Sequence, residues 1–170
     1  MRRTAAATSL LAATFVILGP APFAAADSES FKDGHTTDGP MDIHRVTVVN
    51  EKRVQVRIKV ASLEKKFGRS AAVWLDTDPE HQGPDFFIGS GLYQSDWQIT
   101  RAEGWKAVGD PLSCPVDQRL RYADDIVSWT VGQKCLGSYD AVRVSAEASD
   151  GEVRDYSPDR HAWHPWIGRY

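Results

Sequence analysis

The sequence predicts an all-β protein, an antiparallel β-sandwich of jelly-roll type that carries one disulfide. Apolar and polar residues alternate through RVQVRIKV at 53–60, which is the period of a strand with one buried face. Short segments of strand type follow, separated by clusters of Gly, Pro, Asp and Ser, and no amphipathic helix of about ten residues interrupts them. The chain has two cysteines, Cys114 and Cys135.

The first 26 residues have the layout of an export signal. Arg2 and Arg3 precede an apolar run from Leu10 to Leu18, and small residues end at Ala26. The apolar run is far shorter than the roughly 20 residues that a membrane span needs. We therefore expect a signal peptide at 1–26, secretion to the extracellular side and no insertion into a membrane.

Size and charge restrict the class of protein further. Removal of the leader from the 170 residues leaves the length of one typical domain. Loss of Arg2 and Arg3 takes the formal net charge from −3 to about −5, which disfavours a nucleic-acid binder. Residues 27–41 are polar and lack a period, so we expect a flexible lead-in there, followed by a single sandwich domain at 42–170.

The clearest strands form a hairpin with its turn at 50–52. Val46 and Val48 precede the turn and the alternating run 53–60 follows it. One face of this hairpin is apolar and the other is basic, so the sheet should be covered on one side only. Residues 62–68 (SLEKKFG) are compatible with a single helical turn between Ser62 and Gly68.

The next strand is predicted at 71–76, with Val73 and Leu75 towards the core and Trp74 and Asp76 on the opposite face. We expect further strands at 85–88, 97–102, 105–108, 120–123, 126–131 and 141–148. The tail from residue 157 onwards should cross the sheet and cover apolar surface with its aromatic side chains.

Cys114 and Cys135 are predicted to pair, because an exported chain meets an oxidising compartment. A loop of this length would constrain the unfolded chain by roughly 3 kcal/mol.

Three aspartates near the end of the 71–76 strand are candidate ligands for calcium. Asp76, Asp78 and Asp85, together with loop carbonyls, would supply several of the oxygens that calcium prefers. The spacing is not that of an EF-hand. The alternative is that these aspartates cap turns beside Pro and Gly.

Trp74 is the candidate ligand-binding residue among six tryptophans. Exposed indoles stack on sugar rings and are also frequent in protein interfaces. The alternative is that Trp74 lies under the C-terminal tail and has a packing role.

Other chemistry has weaker support. His161 and His164 lie near Asp159, a loose pattern for a transition metal that is equally typical of a polar surface. Four carboxylates, Asp124, Asp125, Glu147 and Asp150, would serve glycoside hydrolysis only if two of them faced each other across a cleft. We therefore expect no catalytic residues.

The segments VWLDTDPEHQGPDFFI and CLGSYDAVRVSAE carry a resemblance. Together with the hairpin they resemble small secreted proteins of unknown function from actinobacteria, over most of the chain after the leader. The strand followed by an aspartate loop is more distantly similar to family nine carbohydrate-binding modules and DOMON domains. That resemblance implies a jelly-roll sandwich that binds a ligand without turning it over.

We therefore expect a secreted non-catalytic binding module whose partner is a glycan or another ligand. A protein-interaction or inhibitor-like domain is the alternative, and a hydrolase is a third class that needs a deep pocket with converging carboxylates.

Overall fold

The computed structural model describes residues 28–94 and 96–169, which form twelve β-strands and two short helical segments. The first six strands are β1 Ser28–Lys32, β2 Ile43–Asn50, β3 Arg53–Val60, β4 Ser70–Asp76, β5 Phe86–Gly91 and β6 Trp97–Glu103. The other six are β7 Lys106–Val108, β8 Val116–Arg121, β9 Ile126–Gly132, β10 Ala141–Ser149, β11 Arg154–Ser157 and β12 Ile167–Gly168. Between strands lie a 3₁₀ turn, Tyr122–Asp124, and the short helix α1, Gln133–Leu136.

The strands form two antiparallel sheets. The first sheet has the order β1-β2-β3-β9-β8, and the second has the order β11-β10-β4-β5-β6-β7, with β12 also paired to β10. The chain changes sheet between β3 and β4, between β7 and β8, and between β9 and β10. Apolar residues of both sheets form one core. The predicted all-β sandwich is confirmed.

The β2–β3 hairpin follows its sequence pattern. Val54, Val56 and Ile58 are buried, whereas Arg53 and Arg57 are exposed on the opposite face. An apolar face of β-branched side chains drives this pairing, since burial removes their surface from water.

The face assignment of β4 is also correct. Val73 and Leu75 are fully buried in the core, and Trp74 and Asp76 lie on the other face of the second sheet. Asp76 is nevertheless fully buried, because the C-terminal tail covers this face. From His164 onwards the tail pairs along β10 instead of crossing the sheet: the His164 N–H donates to Val144 O at 3.0 Å, and Ile167 lies opposite Val142. The predicted crossing is therefore observed only in part, where Trp163 and Trp166 contact Arg143, and Tyr170 lies outside the described residues.

The predicted flexible lead-in at 27–41 is wrong at Ser28–Lys32, which is strand β1. It pairs with β2 in antiparallel register from Ser28 opposite Val49 to Lys32 opposite Arg45. The sequence SESFK offers a single apolar side chain, so hydrophobic alternation gave no signal. Backbone hydrogen bonds to the edge of β2 and the Phe31 ring stabilise the strand instead.

The predicted helical turn at 62–68 is also wrong. This segment is an irregular connection in which Leu63 is buried. Its backbone groups bond to distant side chains: Leu63 N–H donates to Asp125 Oδ1 at 2.9 Å, and Arg69 Nη1 donates to Ser62 O at 2.9 Å. These tertiary bonds satisfy the groups that a local helix would have used.

The strand predicted at 120–123 differs in both bounds. It begins earlier, at Val116, and ends at Arg121. A 3₁₀ turn follows, and Asp125 adopts the left-handed conformation with φ 56°. The missed strands β11 and β12 have four and two residues, too few for a period to be visible.

The disulfide between Cys114 and Cys135 is present as predicted. It joins the connection before β8 to helix α1, and the two Cα atoms are 5.6 Å apart.

The predicted signal peptide at 1–26 lies outside the described residues. Within the described ranges, no helix combines the length and the hydropathy needed to cross a membrane.

Candidate functional site

Asp76 ends β4 and is held by Arg143, its cross-strand partner on β10. Arg143 donates to Asp76 Oδ2 from Nε at 2.8 Å and from Nη2 at 2.6 Å. The other oxygen, Oδ1, accepts the Asp78 N–H at 3.1 Å. Burial raises the pKa of the Asp76 carboxyl, and the bonds from Arg143 oppose that shift. Both oxygens of Asp76 are therefore engaged within the protein.

The guanidinium of Arg143 also lies between two indoles of the C-terminal tail. Its carbon is 4.8 Å from the ring centroid of Trp163 and 4.6 Å from that of Trp166. These are cation–π distances. The ion pair with Asp76 thus positions the tail on the outer face of the second sheet.

Trp74 belongs to an aromatic cluster on this face. Its ring centroid is 4.4 Å from that of Phe87 and 5.7 Å from that of Trp105. Trp105 in turn packs on Trp163 at 4.6 Å and stacks on His161 at 5.0 Å. Trp74 is consequently half-buried beneath other rings, which agrees with the packing role weighed in the sequence analysis.

A cavity of about 670 Å³ opens beside this cluster, between the β4–β5 loop and the connection from α1 to β10. Five of its lining side chains combine aromatic and charged groups: Asp78, Asp85, Arg101, Tyr139 and Trp166. The volume falls within the range of ligand sites in proteins. Trp166 joins the cavity to the aromatic cluster, because it also contacts Arg143.

The two predicted aspartates that line the cavity are fixed by their own loop. Asp85 Oδ2 accepts the Thr77 N–H at 2.7 Å and the Thr77 hydroxyl at 2.8 Å, and its Oδ1 lies 3.3 Å from His81 Nδ1. Asp78 Oδ1 accepts the Glu80 N–H at 2.9 Å. These bonds are the turn caps that the sequence analysis gave as the alternative to a calcium site.

Asp78 and Asp85 line one cavity, whereas Asp76 is not among its lining residues, although its Oδ1 accepts the Asp78 N–H. Asp76 is buried against Arg143, and in the described part of the chain the three aspartates do not form a group of ligand atoms within 4.8 Å of one another. Sequence reasoning missed Arg101, Tyr139 and Trp166, which lie on three segments that only the fold brings together.

The chemistry available in this cavity is that of polar recognition. Trp166 and Tyr139 offer flat apolar surface, whereas Asp78 and Asp85 accept hydrogen bonds. Arg101 is exposed and its guanidinium lies 4.4 Å from the Phe86 ring centroid, which leaves its donors available to a ligand.

A second, shallower groove of about 380 Å³ lies further along the outer face of the second sheet. Small residues such as Ala72 and Gly89 line it, together with Trp97 and Glu147. Glu147 is paired with Arg154 at 2.9 Å. This groove has one partly exposed indole, Trp97, which lies outside the larger cavity.

The two histidines of the tail do not converge. His164 is buried, its Nε2 is 3.1 Å from Ser157 Oγ, and its ring stacks on Phe31 at 4.3 Å. Desolvation lowers the pKa of His164 to about 4. His161 is exposed and packs on Trp105 instead. His161 and His164 therefore pack on aromatic rings in different places and do not form the transition-metal site that their spacing suggested.

The carboxylates considered for glycoside hydrolysis are each engaged in separate contacts. Asp124 lies 3.4 Å from Arg121 Nη1, and Asp150 Oδ1 accepts the Glu152 and Val153 N–H groups at 3.0 Å and 2.8 Å. Asp125 lies 4.0 Å from Lys59 on the first sheet, whereas Glu147 pairs with Arg154 on the second.

No protein-family model matches the chain, and no curated protein matches its sequence.

Proposed function

We propose that the protein is a secreted, non-catalytic binding module that takes a glycan in the cavity lined by Asp78, Asp85, Arg101, Tyr139 and Trp166. One observation carries this proposal: aromatic surface, two carboxylates and a guanidinium line the same cavity of about 670 Å³. A sugar ring has an apolar face of C–H groups and an edge of hydroxyls, so it needs this combination.

The site is also rigid before any ligand arrives. Asp85 is held by two bonds from Thr77, and Trp166 is held against the guanidinium of Arg143. Side chains that are already ordered lose little conformational freedom on binding, which favours affinity for a flexible polymer.

The export-type leader and the disulfide support a location where glycans and cell-wall polymers are found. A binding role without catalysis fits the carboxylates, because Asp78 and Asp85 are each engaged in a turn.

The test is a glycan array followed by calorimetric titration of the best ligand. We expect Arg101→Ala and Asp78→Asn to weaken binding at least tenfold, which corresponds to about 1.4 kcal/mol. Both side chains are exposed, so these changes should leave the fold intact. Trp166→Ala should abolish binding.

The matched control is Trp97→Ala, which removes an indole from the shallower groove. Its affinity should equal that of the wild type. The proposal fails if no glycan binds, or if Trp97→Ala weakens binding as much as Arg101→Ala does.

The titration is repeated with calcium and with a chelator. Equal affinities would assign Asp78 and Asp85 to direct recognition of hydroxyls. A calcium-dependent affinity would instead make them calcium ligands, the role that the sequence pattern predicted for them together with Asp76.

A further inference from the structure

Two histidines and a buried aspartate meet where β2 begins. We propose that His35, Asp42 and His44 bind a divalent transition metal ion, with Zn²⁺ as the ion that suits the donor set. Their ligand atoms all lie within 4.8 Å of one another, and they are the one group of three or more such residues in the described ranges.

The geometry is centred on one carboxylate oxygen. Asp42 Oδ2 lies 2.7 Å from His35 Nδ1 and 3.2 Å from His44 Nε2. In a tetrahedral zinc site the ligand atoms lie about 2.0–2.2 Å from the metal, so neighbouring ligand atoms are roughly 3.3 Å apart. The two distances to Asp42 Oδ2 are near that spacing, and the two histidine nitrogens lie within 4.8 Å of each other. Small side-chain rotations would admit an ion.

Asp42 is held in a fixed orientation. Its side chain is fully buried, and its other oxygen, Oδ1, accepts the backbone N–H groups of Thr36 and Thr37 at 3.1 Å and 3.0 Å. Oδ2 is consequently the oxygen that faces the two histidines. A carboxylate fixed by backbone donors is the rigid part of the site.

Metal-bound histidines commonly have a carboxylate bonded to the ring nitrogen that does not bind the metal, and Asp38 is that carboxylate for His35. Its Nε2 lies 3.1 Å from Asp38 Oδ1. A carboxylate at this position holds the proton on Nε2 and leaves Nδ1 for the metal. The ion replaces the proton between His35 Nδ1 and Asp42 Oδ2, and that proton passes to the solvent.

The site is open on the solvent side. The side chains of His35 and His44 are 65% and 46% exposed, so an ion can enter without unfolding. Three protein ligands leave at least one coordination position for water or a further ligand. Two imidazole nitrogens and one carboxylate oxygen favour zinc over calcium or magnesium, which take oxygen ligands.

The experiment is calorimetric titration of untagged, chelator-stripped protein with Zn²⁺, together with the visible spectrum of the Co²⁺ form. We expect one ion per chain and the absorption bands of a tetrahedral cobalt site. His35→Ala and His44→Ala should each weaken zinc binding at least a hundredfold, and Asp38→Asn about tenfold, as outer partners usually do.

The matched control is His81→Ala, since His81 is also a half-exposed histidine beside an aspartate, Asp85. It should bind zinc as the wild type does. Circular dichroism of each variant shows whether its fold is retained. The proposal is overturned if the wild type binds no stoichiometric zinc, or if His35→Ala and His44→Ala, while folded, bind it as tightly as His81→Ala. Zinc binding and glycan binding are measured separately, so either proposal can fail alone.

Discussion

Arg143 donates two hydrogen bonds to a single oxygen of Asp76, and its guanidinium lies between the indoles of Trp163 and Trp166. Asp76 is fully buried, whereas the Arg143 side chain remains 24% exposed. The Asp76–Arg143 ion pair therefore links β4 to β10, and the contacts of Arg143 with the two indoles link both strands to the C-terminal tail. The same pair positions Trp166, which lines the proposed glycan site.

Arg143→Ala should lower the free energy of unfolding by about 3 kcal/mol, because it leaves the Asp76 carboxylate buried without its partner. Denaturant unfolding at neutral pH measures this. The control is Arg119→Ala, since the Arg119–Asp117 pair is exposed and should be worth at most about 1 kcal/mol. Equal losses in the two variants would contradict a structural role for the buried pair.

His164 should make the protein less stable as the pH falls. Desolvation lowers the pKa of His164 to about 4 in the folded state, from an ordinary value of 6.5. The unfolded chain therefore binds the proton first, and stability present above pH 6.5 is lost as the pH falls towards 4. The loss is at most about 3 kcal/mol.

His164→Gln should remove this part of the pH dependence. Chemical denaturation at several pH values between 7 and 4 compares the two curves, and His161→Gln is the exposed control. If the His164 variant loses stability as steeply as the wild type, the buried neutral histidine is not the cause.

Replacement of Cys114 and Cys135 by serine should lower the free energy of unfolding by roughly 3 kcal/mol, because the disulfide restricts the unfolded chain. We expect a lower melting temperature and an unchanged far-ultraviolet circular dichroism spectrum, since the strands pair without it. A melting temperature that is the same with and without reductant would count against this contribution.

Trp163→Ala should lower stability by about 2 kcal/mol, because it removes contacts with Trp105 and with Arg143. It should also expose Trp105 and shift the intrinsic fluorescence to longer wavelength. Trp97→Ala is the control, since Trp97 is 37% exposed. Denaturant unfolding should show a larger loss of stability for Trp163→Ala than for Trp97→Ala. The opposite order would be inconsistent with the packing of Trp163 on Trp105 and Arg143.

The sequence predicted those parts of the fold in which apolar residues mark the buried face of a single strand. Residues 53–60 and 71–76 form strands with the predicted faces, because hydrophobic burial acts on each strand separately. Strand β1 was missed for the converse reason. SESFK has no apolar face, and its pairing depends on an edge that another segment supplies.

The candidate sites were predicted only in part. Asp78 and Asp85 were found because Asp beside Pro and Gly is conspicuous in a sequence, and both line the cavity. Arg101 and Trp166 were not found, because a charged residue on a strand and an indole in a tail have no local signal. The arrangement of His35, Asp42 and His44 also escaped notice, since their spacing matches no motif.

By itself, then, the sequence determined the strand faces, the class of fold and the pairing of Cys114 with Cys135, because each depends on residue types and on a local period. The tertiary structure alone decided which surfaces are covered and which side chains meet. Asp76 and Trp74 share an outward face by alternation, yet Asp76 is fully buried against Arg143, and Trp74 packs on Phe87 and Trp105. The physical reason is that contacts between distant segments depend on how the two sheets and the tail pack, and no short stretch of sequence contains that information.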